Sequence, residues 1–182
     1  MTLLGLLVIL RFTIFREPPS LAELQHDFAH KRTDLELILR MSDEDSDFSR
    51  IAPTFVDRNT SQSPQSSGRY MEGNPGAQLP KSRWDAYREI YARNGIKLGI
   101  QRDSVGDAFI MVDSVGLLNR GHTSGYLHCA SESKGISSDL RYQPCVIGQD
   151  KGRRDFISNP RQEAYAFQRL ADAWYAYDEG PS

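Results

Sequence analysis

The sequence predicts an α+β domain: a long amphipathic helix, then a second helix packed on a small, mostly antiparallel sheet. Apolar residues between Ser20 and Met41 recur at spacings of three, four and seven, a helical stripe. After Asn94-Gly95 the period drops to two. Glycine-containing turn signals then separate the strand-like runs closely enough to connect neighbours as a meander.

The first element is "MTLLGLLVILRFTIF", apolar from Leu3 to Phe15 except around Arg11. A spanning helix needs about 20 mainly apolar residues, so residues 1–16 fall short even with Arg11 snorkelling. No Lys or Arg precedes Leu10 and no A-x-A pattern follows, which argues against a cleaved signal peptide. A membrane anchor, complete or truncated, fits better; an apolar element packed on the core is the alternative. Arg11, Arg16, Lys31 and Arg32 all follow the run and by the positive-inside tendency favour a cytoplasmic domain. Cys129 and Cys145, the only cysteines, fit one disulfide outside or two buried thiols inside. The expectation is an extracytoplasmic domain.

Residues 17–42 form the amphipathic helix. Ser20 and Glu23 make a capping box, and Leu21, Leu24, Phe28, Leu35, Ile38 and Leu39 share a face that must dock on something. The sheet, a partner protein or a second copy, and the membrane surface are the options. Residues 43–81 are read as an acidic break followed by a flexible linker. "SDEDSD" lacks the glycine and closing glutamate of a calcium loop. Residues 57–81 are rich in Ser, Gln, Gly, Pro and Asn. A short extended segment is expected in "FSRIAPTFV".

Residues 82–182 make the small α+β domain. Ser82 and Asp85 are placed at the start of the second helix, with Gly95 as its left-handed C-cap. Strands follow over Ile96–Ile100, "DAFIMVDS" and "SGYLHCAS". The two "DSVG" copies are turns. "RYQPCVIG" is a further possible strand, and "EAYAFQRLADAWYAYDE" reads as a closing hairpin or helix-to-strand passage ending in "WYAY".

The segments "MSDEDSDFSRIAP", "RWDAYREIYARNGIKLGIQR", "SGYLHC" and "RLADAWYAYDE" resemble those of short, uncharacterised bacterial proteins with an N-terminal membrane segment and a small α+β domain. The resemblance implies bacterial origin and membrane attachment. It carries no activity and no catalytic residue.

With 182 residues, one core is the working assumption. Lys+Arg 22 against Asp+Glu 24, with no basic stripe, argues against a nucleic-acid partner. "HDFAH" puts His26 and His30 on one helix face, a zinc-ligand spacing. Yet Asp27 replaces the glutamate of a zincin, and on the helical wheel both histidines lie opposite the apolar stripe. Asp34 is the nearest further carboxylate. A thiol site through Cys129 with His122 or His128 lacks a visible electropositive setting. Neither a metal nor another cofactor is expected. Trp84, Tyr87, Arg88, Tyr91 and Trp174 are candidates for a binding face, but core is the preferred reading for most of these aromatics, since so small a domain has few other large apolar residues to bury. The preferred function is a membrane-tethered, non-catalytic binding or interaction module. The expected contacts are with the membrane through the N-terminus, and with a protein partner or a second copy through the 20–41 helix. The contending class is a small hydrolase, zinc-dependent through His26 and His30 or thiol-dependent through Cys129.

Overall fold

The computed structural model describes residues 17–60, 63–103, 106–115, 121–130, 145 and 165–180. The expected anchor in residues 1–16 and most of "RYQPCVIG" lie outside these. No described helix is long and apolar enough to cross a membrane.

Among the described residues the architecture is α+β, with two long helices and an eight-stranded antiparallel sheet that is largely a meander. Helix α1 is Leu21–Glu44. Strands β1 (Phe48–Ile51), β2 (Phe55–Thr60) and β3 (Ser63–Met71) follow, then a 3-10 turn, Pro75–Ala77, and helix α2 (Lys81–Asn94). Strands β4 (Gly99–Arg102), β5 (Ala108–Val115), β6 (His122–His128), β7 (Tyr165–Ala171) and β8 (Trp174–Glu179) complete the sheet, in the order β3-β2-β1-β4-β5-β6-β8-β7.

Helix α1 begins as its sequence dictates. Ser20 Oγ accepts from the Glu23 amide at 3.3 Å, and the Glu23 carboxylate accepts from the Ser20 amide at 2.8 Å. Its stripe of Leu24, Phe28, Leu35, Ile38 and Leu39 is buried in the chain's own core. These side chains pack on one sheet face with Ile100, Ile110, Tyr126, Trp174 and Ala176. Tyr126 adds a hydrogen bond from its hydroxyl to the Leu24 carbonyl at 3.3 Å. The stripe therefore leaves no apolar face of these residues open to a partner.

Helix α2 covers the same sheet face farther along. Its aromatic residues Trp84, Tyr87 and Tyr91, and Trp174 of β8, are core, the alternative preferred to a binding face: each is 2% exposed or less. The two with polar tips near β1 use them on backbone. Trp84 Nε1 donates to the Ala52 carbonyl at 2.9 Å, and the Tyr91 hydroxyl to that of Ile51 at 2.8 Å. Arg88 is half-buried and fixed by the Pro53 carbonyl, Glu72 and Asp85. The helix starts one residue earlier than Ser82, behind Pro80, with no side-chain cap. Asp85 pairs instead with Lys81 at 2.7 Å. Gly95, at φ 68°, is the C-cap.

Two further expectations change. The acidic stretch after Met41 is an anchor rather than a solvated break. Asp43 and Glu44 extend α1, where the helix dipole disfavours them, and cations from other elements compensate. Arg102 holds Asp43 at 2.6 Å; Arg83 holds Glu44 and Asp45, each at 2.7 Å. The segment 57–81, expected to be a linker, supplies most of β2 and all of β3. Its polarity misleads because β3 is an edge strand, and this hairpin is tied to the core chiefly through buried Val56 and part-buried Tyr70.

The opposite face of the sheet carries a second buried cluster, Phe109, Met111, Leu127, Cys129, Phe167, Tyr175 and Tyr177. Cys129 is bonded to Cys145, which packs on this cluster.

Candidate functional site

The described surface offers a groove of about 680 Å³ beside the N-terminal end of α1, within the roughly 300–1,000 Å³ of ligand clefts. One wall is Glu17, Pro19 and the first turns of α1, with Glu23, His26, Asp27 and Lys31. The other is the exit of α2 at Asn94-Gly95, then Lys97, Val112 and Asp113. The helical period that buries Leu24 and Phe28 places these polar residues on the groove side.

Four carboxylates face two ammonium groups in this groove. Hydrogen bonds from the Ser20 backbone and hydroxyl hold the Glu23 carboxyl below its ordinary range. The hydrogen bond from Lys31, at 2.8 Å, does the same for Asp27. Both are therefore ionised at neutral pH. Asp113 is buried and takes the Lys97 ammonium. A register shift between Met111 and Asp113 delivers this charge at the end of the apolar run Ala108–Val112.

Behind the groove the sheet stays polar. Ser124 lies between Asp113 of β5 and Asp178 of β8 in register. Its buried hydroxyl makes no hydrogen bond. His122 pairs with Asp178 through Nε2. Sequence reasoning missed Lys97, Asp113, Ser124 and Asp178. A charge closing the run "AFIMVD" was the available signal for Asp113; the cross-strand partners had none.

His26 sits on the groove rim with its side chain 82% exposed, its Nδ1 3.4 Å from Asp27. His30 is exposed too. Asp34, the carboxylate nearest in sequence, is taken by α2: Arg93 donates two hydrogen bonds to it and Asn94 one, all at 2.6 Å. Among the described residues no three His, Cys, Asp or Glu side chains gather where a metal would bind. Cys129, joined to Cys145, presents no thiol for nucleophilic attack. His128 lies edge-on to Trp174 with ring centres 4.8 Å apart, and burial holds its pKa below the ordinary value.

Compared with family models, curated proteins and solved structures, the chain matches none.

Proposed function

We propose that this chain is a membrane-tethered, non-catalytic binding module whose acidic groove receives a basic segment of a partner protein. The observation that carries the reading is the excess of carboxylates in a preformed cleft. A cationic segment there gains from Glu17, Glu23 and Asp27 without displacing a buried group. The apolar run of residues 1–16 directly precedes the groove wall at Glu17, so a tether there would hold the cleft near the membrane surface. The Cys129–Cys145 bond supports an oxidising compartment, and hence an extracytoplasmic domain.

Selection from a random peptide library tests the groove. Enriched peptides should carry clustered Lys or Arg, and Glu17→Gln with Asp27→Asn should weaken them about tenfold, the order expected for lost charge pairs worth about 1.4 kcal/mol. Neutral or acidic winners, or binding indifferent to both substitutions, would sink the proposal. The tether is tested by fractionation, in which the full chain should sediment with membranes and a version lacking residues 1–16 should not.

A further inference from the structure

On the sheet face opposite the helices, a row of residues crosses four strands in register: Arg69 of β3, Asp57 of β2, Arg50 of β1 and Gln101 of β4. Asp57 is satisfied by Arg69, whose Nε and Nη2 donate to its two oxygens at 2.8 and 2.9 Å. Both guanidinium groups lie over the Phe55 ring, Arg69 at 4.0 Å and Arg50 at 5.0 Å from its centre.

Arg50 is the anomaly. Among the described residues it makes no hydrogen bond and no ion pair, and its Nε is closed off from solvent without an acceptor. Burial lowers its pKa, with Asp57 opposing and Arg69 reinforcing that effect. A guanidinium has five donors and no way to discharge at neutral pH, so a part-buried one without an acceptor is costly. Its described neighbours explain its position but offer its Nε no acceptor.

We propose that Arg50, with Arg69 and Phe55 beside it, is the binding site for a small organic carboxylate. The fork of a guanidinium matches a carboxylate in two parallel hydrogen bonds. The charge count selects a monoanion: two guanidinium groups against Asp57 leave one positive charge, which a carboxylate neutralises and a dianionic phosphate would overshoot. The site lies on the far side of the sheet from the acidic groove and stands independently of the function proposed for it.

The test is titration of the full chain with benzoate while the Arg50 side-chain Nε–H resonance is followed by NMR, assigned by its loss in Arg50→Lys. A saturable shift of that resonance, with a rise in melting temperature that is absent in Arg50→Met, is the expected result. Inorganic phosphate should bind more weakly. A peptide with a free C-terminus that binds more tightly than benzoate, while its amidated form does not bind, would identify the carboxylate as a chain end. Without ligand, Arg50→Met should melt at or above the unsubstituted chain, since it removes an uncompensated charge. An unmoved Nε–H resonance at saturating benzoate would overturn the assignment. So would phosphate binding as tight as benzoate, or a melting temperature of Arg50→Met well below that of the unsubstituted chain.

Discussion

Gly99 stands at φ 86°, and a Cβ there would lie 2.1 Å from the Ile51 carbonyl oxygen. Both facts arise from one event: the chain leaves α2 through Gly95 and must enter the sheet hard against β1. Replacing Gly99 with alanine should cost about 2–4 kcal/mol, because positive φ and a backbone clash add. A urea melt reads this, and a loss under about 0.5 kcal/mol would show that the strand can move aside. Nothing in "IKLGIQR" marks this glycine out, since alternation requires only a small residue there. The groove is similar. "HDFAH" was legible as the polar side of a helix, whereas Lys97 and Asp113 meet only because β4 and β5 pair.

Between elements, Asp34 is the clasp of the two helices. It faces away from the buried stripe of α1 and takes Arg93 and Asn94 from the last turn of α2. The Arg93 hydrogen bonds hold its pKa at about 2, against 3.8 for the free carboxyl. The folded-state pKa is lowered, so the stability this pair supplies is present above pH 3.8 and lost as pH falls through 2. Part of the site is open to water, and screening reduces the gain to about 1 kcal/mol. Asp34→Asn should therefore flatten the acid limb of a stability-against-pH curve between these values. An unchanged limb would assign acid sensitivity to other carboxylates. Periodicity, with cap residues, located both helices, because Leu24, Phe28 and Tyr87 had to be buried, but left β7 and β8 open between a hairpin and a helix-to-strand passage ending in Trp174 and Tyr175. It failed for β2 and β3 because a sheet edge asks for few apolar residues. It failed for Asp43, Glu44 and Asp45 because their partners Arg83 and Arg102 are distant in sequence.

At the scale of the molecule, the sheet has two buried faces built differently. The helices cover one with a large cluster. The other holds Phe109, Leu127, Tyr175 and Tyr177, and there the disulfide fixes Cys145 to β6 directly after His128. Cys145 lies 16 residues along the chain from Cys129, and a closed loop of that length is worth roughly 3 kcal/mol through the unfolded state. Reduction should therefore lower the melting temperature by several degrees without abolishing the helix-side core. The Cys129→Ser, Cys145→Ser double variant should start at that lower value and ignore reductant. Comparing the two separates loss of the cross-link from any side effect of the reagent. Far-ultraviolet circular dichroism should be nearly unchanged in both, since neither α1 nor α2 rests on this face. A melting temperature of the unreduced chain that does not respond to reductant, together with two titratable thiols, would mean that the bond does not form in solution. It would also remove the main support for an oxidising compartment, leaving the basic residues after the apolar run to argue for the cytoplasmic side.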